Sequence, residues 1–589
     1  ATCLPIGDCN AAFPPANATL FVNGAFTAGQ IDATHFVTVD AALASATSGA
    51  VIAVESGTYT GRMVPSGNVS VVGRCAEKVV FQAADSTTSA IEIERGQVAF
   101  SNMTLRDYHA AVSILGGNVT LDSMVVEGSH FAGIVVGNTG TTANISNVVV
   151  RGTRAGGSDA NAFGLYIGDA AAVTVTGSAF ADNDYINVGV SGDGKAGAKL
   201  TLTGSVVRNG HAFSAAGGFG WGIYGSNKIS LDVEQSAIVD NTGFGLQLNS
   251  TTTKTAAQGK IVGSVVRGTA LDPVNGVGIG IEGNRSVWDI EQTTVSGSNQ
   301  TDLYMAGGTS ATITGSTLLG TSSADAAALG PLGIIAIDST VTLTSTSIFG
   351  TRAGAEFEGA TIAEVDDSLI TQTRTTPTGY YADGNYVGVG LFMEEGATLT
   401  SKNLALVGTH TAGMITLGNT TATNLLIEGT RAGGDGVAGR GISAQKGSVL
   451  TLQGAAIRDN AETGIAVAQN SVLNLSDSIV DTTSVDPSGK YGIGILLLKN
   501  DSPSTITTTT LRHGQGSALA ASASGARVTK SAFLDNSVGV YVQDGASLVE
   551  GNGTGDPMTV AISSDTVFDG NATRVGSGAV PLPEALVAP

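Results

Sequence analysis

The chain has 589 residues, 42% hydrophobic and 13% charged, with 82 Gly, 13 Pro and a formal charge of −21 at pH 7. This balance supplies ample core material and excludes a disordered chain. The charge excludes nucleic acid and unassisted binding of polyanionic glycans, because a long-range repulsive field opposes both, and no apolar run reaches the ~20 residues a membrane helix needs.

Residues 1–34 read as an irregular leader segment carrying Pro14-Pro15. Cys3, Cys9 and Cys75 all lie early in a chain that otherwise avoids cysteine, which suits one disulfide in an exported protein. Cys3–Cys9 and Cys9–Cys75 are both open pairings, and three inert thiols are a third reading. Thr38 is placed to cap a short helix, Val39–Ala46, with Val39, Leu43 and Ala46 on one face and Gly49 ending it. Strands follow at Val51–Val54 and Val69–Val72. A helix in this place covers the open end of whatever is stacked behind it.

From there one pattern recurs, most plainly as Thr201–Gly210 (TLTGSVVRNG): an alternating run, a small-residue bend, a β-branched triplet, then a charge and a turn. Copies stand at Thr174–Phe180, Ile261–Arg267, Thr312–Leu319, Leu475–Val480 and Val528–Leu534. Aligned on the last apolar residue of each copy (Val207, Val239 and Val266, for example), the steps run from 21 to 36 residues. Short β-branched segments at such a period, without helical patterning, predict a β-solenoid in which each coil buries its inward side chains against its neighbours.

The segment Phe36–Gly73 (FVTVDAALASATSGAVIAVESGTYTG…VSVVG) resembles the N-terminal cap and first coil of the pectate-lyase-like right-handed parallel β-helix superfamily. Asp240-Asn241…Gly245, Asp459-Asn460…Gly464 and Asp535-Asn536…Gly539 are similar to the D-N-x-x-G turns of carbohydrate-associated β-helix repeats. The resemblance covers residues 35–570 and implies a right-handed parallel β-helix with an N-terminal helical cap, followed by a C-terminal tail, 571–589. At ~4.8 Å per coil, about twenty coils give a rod of about 90–100 Å. The fold implies no single activity, since the superfamily includes lyases, hydrolases, adhesins and inert scaffolds.

Gly128-Ser129-His130…Asn138, Gly152–Gly157 and Asp182-Asn183 reappear in order at offsets of 277 to 281 as Gly408-Thr409-His410…Asn419, Gly429–Gly434 and Asp459-Asn460. This predicts duplication of a block, about 118–290 onto 396–545, and structural duty for His130 and His410, since catalytic residues rarely need two distant copies. The residue after each triplet is often charged: Arg106, Glu127, Arg151; then Arg208, Asp240, Arg267; then Glu428, Arg458, Asp481, Arg512, Asp535. Stacked ~4.8 Å apart, such residues form a salt-bridge ladder.

A polyuronate lyase needs carboxylates holding calcium beside an Arg or Lys base, and calcium is the one cofactor that stays open. Asp182-Asn183-Asp184 and Asp366-Asp367 are the best acidic clusters and read as solvated turns. A polygalacturonase-like site fails at both His211 and His513, which lack a nearby Arg-x-Lys, and the cysteines have no zinc spacing. Long insertions at 153–163, 182–199, 209–221 and 268–277 stack on one edge, as binding loops of solenoids do. The aromatics there include Tyr185, Phe213, Phe219 and Trp221, with Tyr224 just beyond the third insertion. The longest step carries Arg374, Tyr380, Tyr381, Asp383 and Tyr386, where Tyr beside carboxylate suits stacking on sugar rings. The expected ligand residues are therefore Tyr380, Tyr381, Asp383, Tyr386, Trp221 and Tyr185.

The expectation for function is an exported, non-catalytic rod for surface display, adhesion or assembly that recognises neutral polysaccharide or another cell-surface molecule. Its rivals are a polysaccharide lyase or hydrolase with a site assembled from separate coils, and a subunit that self-associates end to end into an extracellular filament.

Overall fold

Thr201–Gly210 shows how one coil is made. In the strand Ala198–Thr203, Ala198, Leu200 and Leu202 are buried and the residues between them face outward. Gly204 then turns the chain with φ +57°, a left-handed conformation that glycine enters without a Cβ penalty. Ser205 follows, fully engaged: its hydroxyl donates to the Thr203 carbonyl at 2.9 Å and accepts the Ser178 amide of the preceding coil at 3.1 Å. Ser236 receives the Ser205 amide in the same way, and Ser264 the Ser236 amide, each at 3.1 Å. The Gly-Ser bend is thus a serine ladder that ties coil to coil without leaving a buried amide unpaired.

The triplet Val206–Arg208 forms a second, short strand whose central residue, Val207, is buried. The turn into the third strand again begins in the left-handed region, at Asp182 (φ +57°), Asn209 (φ +52°) and Asp240 (φ +56°), and its next residue points inward. Asn183 and Asn241 there accept the amides of Thr153 and Gly210, both at 2.9 Å. Asn460 and Asn536 do the same for Thr430 and Gly514. This is the physical content of the Asp-Asn turns.

The computed structural model describes residues 6–155, 161–192, 197–212, 218–251, 254, 256–320, 331–375, 387–434, 436, 438–551, 556–584 and 586. The chain divides into two compact units, 1–294 and 295–589, each a stack of such coils in parallel register. We call the three strands of a coil, and the sheets they build, first, second and third in chain order. Asn118–Asp122, Val125–Glu127 and Ala132–Val136 are one example, paired respectively with Thr142–Ser146, Val149–Arg151 and Phe163–Ile167 of the next coil. The core is the column of inward residues, each worth about 1.5–3 kcal/mol when fully buried. No described helix is long and apolar enough to cross a membrane.

In the first unit the helix spans Val39–Ser45, one residue shorter than expected, because Ala46 already has extended ψ (132°) and acts as the C-cap. Thr38 Oγ1 accepts the Ala41 amide, and Val39, Ala42 and Leu43 are buried against the strands Leu20–Val22, His35–Phe36 and Ala50–Val54. The leader is therefore not wholly irregular. Leu20–Val22 pairs with Ile52–Val54, since its alternating Leu20 and Val22 extend the first sheet's buried face. A Cys9–Cys75 disulfide fastens the leader to the first coils, while Cys3 lies outside the described residues.

In the second unit the chain does not stop at its last strand, Thr573–Ser577. It folds back as a strap across the outer face of the third sheet. Leu582 packs with Ala466, Leu496, Ala520 and Tyr541, and Leu586 with Val389, Ala412 and Ile415. Pro581 and Pro583 have no amide hydrogen, so the strap docks through its leucines and single backbone bonds, the Val580 amide to Gln543 and the Glu584 carbonyl from Arg440, and not as an added strand.

Candidate binding face

The charged column is an ion-pair ladder where the register allows it. Glu127 lies between Arg106 and Arg151, with Arg106 Nε 2.7 Å from Oε1 and Arg151 Nη2 2.8 Å from Oε2. Arg458 reaches Glu428 at 2.9 Å, and Arg512 reaches Asp481 at 2.6 Å. The group Arg208, Asp240, Arg267 departs from expectation. The residue in register with the two arginines is Val239, not Asp240. Asp240 instead occupies the left-handed turn position, which Asp tolerates better than Val. Asp535 is offset likewise, because Leu534 pairs with Arg512. A cleft of about 370 Å³ is lined by Arg106, Glu127, Arg151, Arg154 and Asp182. Burial pushes the Glu127 carboxyl up, but the two arginines outweigh it and hold it below the ordinary range. Glu127→Gln is expected to cost about 1 kcal/mol or less in urea melts, with the loss confined to pH above the carboxylate range.

The acidic clusters are turn chemistry. Asp182 accepts from the Asn209 amide at 3.0 Å, Asp366 accepts the Lys402 amide at 2.9 Å, and Asp367 accepts from Asn403 at 2.7 Å. Among the described residues no group of three or more His, Cys, Asp or Glu is placed to hold a metal ion. His211 stands 3.8 Å from Asp182, and His513 stands 2.8 Å from Asp481, which also holds Arg512. His130 and His410 both lie two residues before a third-sheet strand, and His410 Nδ1 is 2.8 Å from the Thr373 carbonyl.

Of the six expected ligand residues, Tyr380, Tyr381, Asp383 and Tyr386 fall outside the described residues, as does Phe213. Tyr185 and Trp221 come together in the first unit, ring centres 5.1 Å apart and edge to face. Trp221 is only 7% exposed, so it backs the surface and does not form it. Its indole Nε1 donates to Gln247 Oε1 at 2.7 Å. Tyr185 is half-buried at the entry to the strand Ile186–Ser191, with φ +72°, a strained conformation for a bulky residue and one that functional sites tend to hold.

Register adds what spacing could not. On the outer face of the third sheet, Tyr166, Gly189, Tyr224, Gln247 and Glu282 occupy one column on successive coils. Gly189 leaves room for its neighbours: a Cβ there would lie 3.2 Å from Phe163 Cδ1 and 3.5 Å from Tyr166 Cδ2, so both rings lie over the glycine on the outer face. Phe163 and Tyr166 are 5.0 Å apart, and Tyr224 is 5.4 Å from Trp221. Burial pushes the Glu282 carboxyl up, and the Gln247 amide opposes it only in part. Burial and the nearby Tyr224 both raise the Tyr185 phenol. The result is a shelf of half-exposed rings ending in the Gln247 amide and the Glu282 carboxyl. Flat apolar rings with a few neutral hydrogen-bonding groups match the alternating CH faces and hydroxyls of a sugar chain. Tyr166, Gln247 and Glu282 were missed from the sequence because nothing but strand alternation, counted from the third strand, marks them.

A sequence profile described as "Right handed beta helix region" matches residues 89–262 and 389–571. No curated protein sequence matches the chain. Among solved structures, it is similar to the Agl-KA catalytic domain (16% identity, 67% of this chain and 66% of that one, TM-score 0.35). It is similar also to tailspike protein 3 of bacteriophage CBA120 (13%, 62% and 54%, 0.35) and to the alginate lyase AlyGC (12%, 91% and 88%, 0.31). The chain thus spans just under two thirds of the first of these and about half of the second.

Proposed function

The chain belongs to the right-handed β-helix family, and from that premise we propose that it is an exported, non-catalytic rod whose first unit holds a neutral polysaccharide along the third sheet's outer face. The observation that carries this reading is the column Tyr166, Gly189, Tyr224, Gln247, Glu282 with its flanking rings. A neutral chain fits better than an anionic one, since the protein carries a formal charge of −21 and an anionic chain would meet the Glu282 carboxyl on the shelf. Two-carboxylate hydrolysis needs a second acid across the scissile bond. On this column the neighbour of Glu282 is the amide of Gln247, which favours holding a sugar over cleaving it.

Affinity electrophoresis in gels cast with a soluble mixed-linkage glucan or a galactomannan, with polygalacturonate as the anionic control, tests the reading. Retardation is expected in a neutral gel and not in polygalacturonate. The pair Tyr166→Ala with Tyr224→Ala should weaken it about tenfold or more, because each ring supplies part of the stacking surface. Equal mobility in all gels, or retardation that the double variant leaves untouched, contradicts it.

A further inference from the structure

We propose that the last coil of the second unit docks tail to tail onto the same coil of a second copy of this chain. Among the described residues the core columns run out at this end without a lid. Val575 continues the column of Leu519 and Val540, both fully buried, yet is itself 41% exposed. Phe568 stacks on the buried Phe533 at 4.7 Å and 6°, and the Arg574 guanidinium lies 4.8 Å from the centre of its ring. Val567 beside it is 54% exposed. The strands Ser547–Glu550, Val567–Asp569 and Thr573–Ser577 each pair with one described neighbour, which leaves an open strand edge in all three sheets. A stack of coils needs its terminal faces covered, and an open apolar edge is a pairing surface.

Three observations choose the occupant. The chain itself leads away from this face, since the strap carries it to Leu586 among Val389, Ala412 and Ile415. The first coil of the first unit is already covered by the helix Val39–Ser45, so it offers no matching open face and head-to-tail stacking lacks a partner surface. The rim carries Arg574 and Glu550, 2.8 Å apart. Across a two-fold axis each residue meets its opposite on the other copy, the self-complementarity that an isologous interface requires. Such a contact closes at two copies and builds no filament.

Sedimentation velocity of the full chain from nanomolar to high micromolar concentration decides the matter. A monomer–dimer equilibrium without larger species is expected. Val575→Asp should weaken it by about 100-fold, as placing a charge in a packed interface centre does. Arg574→Glu should weaken it too, and adding Glu550→Arg should restore it, an outcome that keeps the test valid even where Val575→Asp disturbs the last coil. A chain that stays monomeric throughout, forms a ladder of larger species, or dimerises regardless of these variants overturns the proposal.

Discussion

Glu462→Ala is expected to lower the stability of the second unit by about 3–5 kcal/mol, the range for removing one partner of a buried ion pair. Arg440 and Glu462 are each 3% exposed, and Arg440 Nε donates to Glu462 Oε2. They lie under the strap, where Arg440 Nη2 also donates to the Glu584 carbonyl. Taking away the carboxylate leaves a guanidinium that has lost both water and its counter-charge. Tyr491 lies beside the pair: burial raises its pKa, and the carboxylates of Glu462, Asp486 and Glu584 add to this against Arg440. Replacing both members, Arg440→Met with Glu462→Leu, should recover most of the loss, since an apolar pair of similar volume needs no desolvation of charge. Urea titration of the three proteins measures this. Limited proteolysis should find the strap cut faster in both variants than in the wild type, since Glu462→Ala loosens Arg440 and Arg440→Met removes its bond to the Glu584 carbonyl.

Asp302→Asn is expected to raise stability at neutral pH by roughly 1 kcal/mol or more, the linkage cost of each unit by which burial raises a carboxyl's pKa. Asp302 is fully buried, and neither carboxyl oxygen has a hydrogen-bond partner among the described residues. It stands second in its third-sheet strand, a position that in this unit is Gly333 in the next coil and Gly413, Gly441 and Gly464 further on. Burial pushes its pKa well above the carboxylate range, and Ser298, its polar neighbour at poor hydrogen-bonding geometry, opposes this only in part. The sign follows from linkage. A carboxyl that is harder to ionise when folded binds more protons in the native state, so stability is greatest below the unfolded-chain pKa of about 4 and falls as pH rises from there toward the folded value. Melting temperature against pH should therefore decline over that window in the wild type, and the decline should be shallower in Asp302→Asn. Equal slopes would mean that Asp302 is hydrated in solution.

The repeat was legible because its joints have chemical signatures. Gly204-Ser205 needs a left-handed bend and a hydroxyl for the ladder, and Asp240-Asn241 needs a left-handed turn and an inward amide. The helix was legible from Thr38 and its apolar spacing. What escaped was decided between coils. Ala237-Ile238-Val239 offers two apolar residues as the buried one, and only stacking of Asp240 at the turn makes Ile238 the core residue, which displaced the predicted charge column by one place. Gly259 has no side chain to mark its role, yet it stands in register beside Trp288 in the first sheet, where a Cβ would come within 2.5 Å of the indole. Residues 578–586 have no periodicity and read as a loose tail, because their docking rests on Leu582, Leu586 and a buried Arg440 remote in sequence. The aromatic shelf was half legible. Tyr185 and Trp221 were singled out as aromatic loop residues, but the surface itself belongs to outward positions of strands on separate coils.

The most direct measurement is a glycan array on the intact chain, scored in two channels: retained protein, and release of reducing or unsaturated sugar ends. The account predicts retention on neutral polysaccharides, lost with Tyr166→Ala and Tyr224→Ala together, and no released ends. Released ends on any glycan, or binding confined to anionic ones, would contradict it.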